Sequence, residues 1–201
     1  MDPLDSEDQI VAKKIKQLSV PILQSITREE IDNFEPYHER YYENKYCTAF
    51  NTPRKRHDTI LRFHSNKLIL ISIAEGHDIF RNKKVIEKID FTVNQVDRLN
   101  INVSGKKKTG AKTLKRGAVL CYLKCRGEDE PYPVYCALTS KLIEVNQLVV
   151  RDPQLLVKSY RELGYIAVLN PSRFGPQKYV ESNSELLCEE EYKKSLCSVC
   201  F

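Results

Sequence analysis

The residue types with the most to offer chemically are cations. Ser104 to Gly117 holds Lys106, Lys107, Lys108, Lys112, Lys115 and Arg116, with no acidic residue among its fourteen positions. Gly105, Gly110 and Gly117 make the stretch a loop rather than a helix or strand. Such a loop suits three tasks: cradling phosphates, docking on an acidic protein face, or serving as a nuclear localisation signal. It is not a nucleotide-binding P-loop. Gly105 and Gly110 have the right separation, but Ala111-Lys112 follows where Lys-Ser/Thr is needed. A second cluster, Arg54, Lys55 and Arg56, follows Pro53 in another loop. It would attract phosphates without reading sequence, with strong salt sensitivity. The aromatic signature of an RNA-reading sheet does not accompany it.

Catalytic groups are sparse. The chain has no G-x-S-x-G elbow, no H-E-x-x-H pair and no dinucleotide glycine fingerprint, so no catalytic residue is assigned. His64 and His77 flank one strand candidate, where surface or satisfied roles are the plain reading. Glu128-Asp129-Glu130 reads as a solvated hairpin tip without the further oxygen ligands of a calcium loop. Seven cysteines, an odd number, read as reduced thiols of a cytosolic or nuclear protein. Cys47, Cys121, Cys125 and Cys136 lie in apolar surroundings and serve as small hydrophobes. Cys197 and Cys200 form a lone C-x-x-C, half of a zinc site, so neither metal nor cofactor is expected. Ser198 stands where a prenylation box needs Cys.

The elements that must carry these loops are mostly strands. Thr59 to His64 and Lys67 to Ile73 are β-rich runs joined by Ser65-Asn66, with Asn66 suited to the positive φ of a tight turn. Further strands are expected at Val85–Val93, Leu99–Val103, Ala118–Lys124, Tyr132–Leu138, Leu142–Val145 and Tyr165–Leu169. Many short strands at close spacing predict a mainly β sandwich or barrel-like domain. Residues 151–156 read as a short helix or turn. Near the N-terminus, Val11, Ile15 and Leu18 form an apolar helical stripe ended by Pro21, and Thr27 to Glu30 has capping-box spacing. Ser184 to Lys194 reads as a short acidic helix. The organisation is thus an acidic helical or linker extension at 1–39, a β domain at 40–171, and a tail at 172–201.

Composition bounds the class. The chain has 201 residues, 41% hydrophobic and 29% charged, enough for one domain with tails and unlike a disordered chain. No apolar run reaches the length of a membrane helix, and the acidic start lacks a signal-peptide pattern. Residues 1–39 carry 4 basic and 9 acidic side chains, whereas residues 40–171 carry 24 and 13. A basic body with acidic or neutral ends favours acidic partners, or simply solubility.

The stretch Lys141–Asn146, Pro153–Leu156 and Gly164–Pro171 resembles the C-terminal half of the lipoyl-carrier H protein of the glycine cleavage system. That likeness implies a lipoyl/biotinyl-like flattened β-barrel, or hammerhead. The carrier chemistry does not follow. Ser140 replaces the glycine that sits eleven residues after the modified lysine, and the matching position is Asp129. Arg126 to Pro131 has no lysine at all, so lipoylation is not expected.

A closer likeness is to the Abitram family, also called Simiate, the actin-binding transcription modulators. It is carried by Arg40-Tyr41-Tyr42, His64-Ser65-Asn66, Ala74-Glu75-Gly76-His77, Val103-Ser104-Gly105-Lys106, Gly110-Ala111, Leu120-Cys121 with Cys125, Cys136, Glu144-Val145-Asn146 and Gly164 to Val168. The resemblance implies a non-enzymatic protein that binds actin and regulates polymerisation and cell projections. It also implies a presence in the cytoplasm and in nuclear speckles. The expected contact residues are Lys106, Lys107, Lys108, Lys112, Lys115 and Arg116, because actin has an acidic surface. No membrane partner is expected. The competing reading is a nuclear factor that binds nucleic-acid phosphates nonspecifically through both basic loops.

Overall fold

The computed structural model describes residues 26–34, 37–99, 110–171 and 186–197. The chain divides into two units after Arg40. The first contains helices α1 (Arg28–Asp32) and α2 (Tyr37–Arg40). Thr27 starts α1 with the expected capping box: its hydroxyl accepts from the Glu30 amide, and the Glu30 carboxylate accepts from the Thr27 amide. The apolar stripe at Val11, Ile15 and Leu18 lies outside the described residues.

The second unit is mainly β. Strands β1 (Tyr42–Cys47), β2 (Thr59–His64) and β3 (Ile69–Ile73) form a meander. Strands β7 (Lys112–Leu114), β10 (Ser140–Val145) and β11 (Ala167–Asn170) complete a six-stranded sheet in the order β1-β2-β3-β11-β10-β7. Strands β4 (Ile86–Asp90), β8 (Val119–Cys125) and β9 (Tyr132–Tyr135) form a three-stranded sheet. The ribbon β5 (Thr92–Val93) and β6 (Val96–Asp97) stands apart. The expected mainly β architecture is therefore present as several sheets. Among the described residues they are not joined by hydrogen bonds into one closed ring.

Period-two alternation explains which side chains fill the centre. Leu61 and Phe63 of β2, Ile71 and Ile73 of β3, and Cys121, Leu123 and Cys125 of β8 enter one core with Val134 and Leu169. Each fully buried aliphatic side chain there contributes about 1.5–3 kcal/mol. Cys47, Cys121, Cys125 and Cys136 are all buried among these residues, as expected of small hydrophobes. The opposite face of β2 turns Ile60 and Arg62 the other way, toward elements outside the sheet.

Several local expectations are corrected. The β2–β3 turn has Ser65 and Asn66 at its centre, but Lys67 carries the positive φ of 69°. The Lys67 amide donates to the His64 carbonyl at 2.9 Å, and the His64 amide donates to the Leu68 carbonyl at 2.9 Å. This is the three-residue loop with one left-handed residue after the turn. Ser140, which stands where the carrier has glycine, opens β10, buried, opposite Leu114. Strand β1 was not anticipated, because Tyr-Glu-Asn-Lys-Tyr-Cys has too little apolar alternation. The candidate strand Leu99–Val103 lies outside the described residues beyond Leu99. The segment read as a short helix or turn at 151–156 holds the end of one short helix, α4 (Gln147–Arg151), a turn, and the start of a second, α5 (Leu155–Lys158), as expected. Asn146 caps α4 through its Oδ1 and donates from Nδ2 to the carbonyls of Leu163 and Tyr165, both at 2.8 Å. Gly164 lets the returning chain pass α5, since a Cβ there would stand 2.2 Å from the Leu155 carbonyl oxygen.

Two more helices matter to the site. Helix α3 (Asp78–Arg81) follows β3, and α6 (Glu189–Cys197) ends the described chain. Three glutamates in the first turn of α6 suit its positive end. Of the stretch read as helical from Ser184 to Lys194, residues 184 and 185 lie outside the described residues and the helix is formed from Glu189.

Candidate functional site

The loop between β1 and β2 is the structural centre of the basic surface. Thr52 to Lys55 is a tight turn: the Thr52 amide and hydroxyl both donate to the Lys55 carbonyl, and the Lys55 amide returns a bond to the hydroxyl at 2.9 Å. This holds Arg54 outward at the turn, exposed. Beside it lies a groove of about 300 Å³ lined by Asn51, Thr52, Pro53, Arg54, Lys55 and Arg56, together with Asp78 and Arg81 of α3.

The three cations of the second cluster have different roles. Lys55 pairs with Glu130 of the β8–β9 tip at 2.7 Å. Its ammonium also lies 5.1 Å from the centre of the Tyr132 ring. The Lys84 ammonium lies 5.2 Å from the centre of the same ring and pairs with Glu128. The acidic tip is therefore a clamp on two lysines. Arg56 donates at 2.8 Å to Asp58, a carboxylate with no exposed surface. Arg54 and Arg81 alone among the groove's cations have no side-chain partner among the described residues.

Asp58 joins this loop to the C-terminal helix. Its carboxylate accepts from Asn51 Nδ2 at 2.5 Å, Arg56 at 2.8 Å and the Tyr192 hydroxyl at 2.8 Å. The Tyr192 hydroxyl in turn accepts from the Gly76 amide at 2.7 Å. Burial and the neighbouring Asp58 carboxylate push the Tyr192 hydroxyl well above the ordinary tyrosine range, so it stays a donor. Gly76 has to be glycine: a Cβ would stand 2.1 Å from the Asp58 carboxylate and 2.5 Å from the Tyr192 hydroxyl. The Tyr192 ring stacks on Tyr46, centroids 4.1 Å apart, over Ile60 and Ala74. Leu187 adds a two-bond bridge to Tyr46, and Arg161 pairs with both Glu75 and Glu189.

Beneath the loop lies an aromatic and imidazole cluster. His57 and His77 sit 5.8 Å apart edge to face, against Tyr132 and Tyr135. His77 is wholly buried, and its Nδ1 accepts from the Ile79 amide to cap α3. Burial, then the neighbouring His57, lower its pKa to about 3. His57 is lowered too, mainly by burial. Neither ring is placed as a base at an open surface. Among the described residues no three His, Cys, Asp or Glu side chains form a metal-holding group.

The first basic loop meets this surface at its C-terminal end. Lys106, Lys107 and Lys108 lie outside the described residues. Lys112 begins β7 and is half-buried, and Lys115 is exposed in the turn after it. The Arg116 amide donates to the Thr139 hydroxyl at 3.1 Å, and its guanidinium stands 5.5 Å over the Phe50 ring. Phe50 packs on Tyr135 at 5.0 Å, one residue before Asn51 of the groove. Two basic segments about sixty positions apart in sequence thus join at Phe50.

Sequence reading missed Asp58, Tyr192 and the imidazole pair as a connected set. The Ala74-Glu75-Gly76-His77 motif was the only trace of it, and nothing local links Asp58 to Tyr192 across 134 positions. It also missed Arg62 and Arg98 as buried side chains. Arg62 donates to the Arg161 carbonyl, and desolvation lowers its pKa to about 10. Arg98 donates to the carbonyls of Val119 and Leu120.

The described residues define a mainly β scaffold whose buried polar side chains hold loops and a C-terminal helix in place beneath a basic surface. The chain is 34% identical over 159 residues to Protein Abitram of Danio rerio, covering 79% of this chain and 87% of that one. It is 34% identical over 161 residues to the Xenopus tropicalis protein and 32% over 158 to that of Dictyostelium discoideum, covering 85% of each. It belongs to the Abitram family. No protein-family model matches it. Among solved structures, a glycine cleavage system H protein from Mycobacterium marinum matches at 12% identity with a TM-score of 0.47, over 75% of this chain and 94% of that one.

Proposed function

We propose that this protein is a non-enzymatic binding protein that docks an acidic protein surface, with actin as the partner and filament assembly and cell projections as the process. The observation that carries the reading is the meeting of the two basic segments at Phe50, which concentrates Arg54, Arg81, Lys115 and Arg116 around one loop. Opposite fields speed encounter and set orientation. The chemistry of the interior supports the non-enzymatic part. His57 and His77 are buried neutral, and the thiols of Cys121, Cys125 and Cys136 are pushed up by burial, Cys125 to about 11 and Cys136 to about 12. Such groups are poor nucleophiles. Action in both nuclear speckles and cytoplasm is part of the same proposal.

The test is co-sedimentation with actin filaments across a salt series. The parent is compared with a variant carrying Ser at Lys106, Lys107, Lys108, Lys112, Lys115 and Arg116. Binding that falls with salt and is lost in a folded variant is the expected result. No binding by the parent at physiological salt refutes the actin reading. Retention of duplex DNA with a steep salt slope would then move the assignment to nucleic-acid phosphates.

A further inference from the structure

The groove beside Arg54 has an unusual inventory of uncommitted donors. Its neutral polar groups are used by the fold. Asn51 donates from Nδ2 to Asp58 and accepts from the His57 amide at Oδ1, 2.6 Å away, and the Thr52 hydroxyl is engaged with Lys55. Lys55 is held by Glu130. What remains is guanidinium. Arg54 and Arg81 are exposed and without side-chain partners among the described residues, and both line the groove. Arg56 also lines the groove: one nitrogen is on Asp58, while its Nε is buried with no hydrogen-bond partner among the described residues. A buried N–H without an acceptor is costly, so this nitrogen favours a shift of the Arg56 side chain toward an acceptor that enters the groove.

We propose that this groove seats a carboxylate side chain of an acidic segment of the protein partner. The proposal rests on the reading of the protein as a binder of acidic surfaces and names the point of contact. Charge selects the ligand. Arg56 is offset by Asp58 and Lys55 by Glu130, while Asp78 lines the groove and accepts from the Arg56 amide at 3.1 Å. Arg54 and Arg81 against Asp78 leave one uncompensated positive charge. That balance matches a single carboxylate, and a dianionic phosphate would face Asp78 in excess. Arginine forks favour a planar carboxylate geometrically. The site is also preorganised. Asp58 fixes Arg56 and Asn51 together, and Tyr192 completes the coordination of Asp58 from α6.

The experiment uses the full chain in two arms. In the first, an acetylated hexaglutamate peptide is titrated at low salt and followed by ¹H–¹⁵N spectra that include the arginine Nε–Hε signals. Saturable shifts at Thr52, Arg54 and Arg81 amides and at Arg56 Hε are expected. They should vanish in the double variant Arg54→Ser, Arg81→Ser, whose exposed positions leave the fold intact. No shifts, shifts centred on Lys112 and Lys115, or tighter saturation of the same signals by inorganic phosphate would each overturn the carboxylate seat. In the second arm the double variant is sedimented with actin filaments, where about tenfold weaker binding is expected. Full-strength binding by the double variant overturns the groove while keeping the function. Peptide shifts at the groove without sedimentation by the parent keep the groove and overturn the actin partner.

Discussion

His77 should make this protein sensitive to mild acid, by an amount that can be worked out. The ring has no exposed surface, and burial lowers its pKa to about 3 from an ordinary 6.5. Its Nδ1 accepts from the Ile79 amide, which places the proton of the neutral ring on Nε2, and Nε2 has no hydrogen-bond partner among the described residues. The charged neighbours do not rescue a second proton, since the group acting on it is His57, which lowers the pKa further. The folded state therefore binds fewer protons than the unfolded one throughout the interval between about 3 and 6.5. Stability from this group is fully present above pH 6.5 and is lost as the pH falls below it. Between pH 7 and pH 5 the loss is about 2 kcal/mol, roughly 25-fold in the folded-to-unfolded ratio. The chain has no Trp, so urea unfolding by far-UV circular dichroism at pH 7, 6 and 5 is the assay. His77→Asn keeps a side-chain acceptor at the N-cap and cannot be charged. The smaller ring-free side chain makes it less stable than the parent at pH 7. Its decline between pH 7 and pH 5 should nonetheless shrink by about 2 kcal/mol, leaving the separate contribution of His57. An unchanged decline in His77→Asn would refute the assignment of acid sensitivity to this imidazole.

Further outcomes follow from the Asp58 network and the thiols. Arg56→Met should destabilise by about 3–5 kcal/mol, because it strips the cation from a wholly buried carboxylate. Arg54→Ser, two positions away and exposed, should stay within about 0.5 kcal/mol; denaturant midpoints separate the two. Tyr192→Phe should cost about 1–3 kcal/mol, as Asp58 loses a donor and the Gly76 amide an acceptor. Gly76→Ala should lift α6 from the sheet, seen as faster proteolytic cleavage within 189–197 while the β body resists. In the native protein a thiol reagent should label Cys197 and Cys188 rapidly, and Cys47, Cys121, Cys125 and Cys136 only at the rate of unfolding.

Several elements were legible because their signals are local. The β2–β3 hairpin announces itself through two β-rich runs around Ser65-Asn66, yet the position of positive φ fell on Lys67, which turn chemistry does not favour. Here the register of Phe63 opposite Ile69 decides the loop, since both must face the core. The Thr27 capping box was readable because its bonds span three residues. Strand β1 was not, because its burial on one side comes from Tyr192 and Leu187, far along the chain. The same holds for the basic clusters. Composition identifies Arg54, Lys55 and Arg56 as three equivalent cations. Only packing reveals that Lys55 is clamped by Glu130 and Arg56 is committed to Asp58, while Arg54 has no side-chain partner among the described residues.

What the amino-acid sequence determined by itself was the character of the protein: a mainly β body, reduced and buried cysteines, an acidic beginning and a strongly basic middle. Those properties rest on composition and short-range periodicity, which act within a few residues. The tertiary structure decided which charges remain available. Ion pairing and burial depend on residues brought together over long separations, from Asp58 to Tyr192 and from Phe50 to Arg116, and desolvation at those junctions divides structural charges from the few left to meet another molecule.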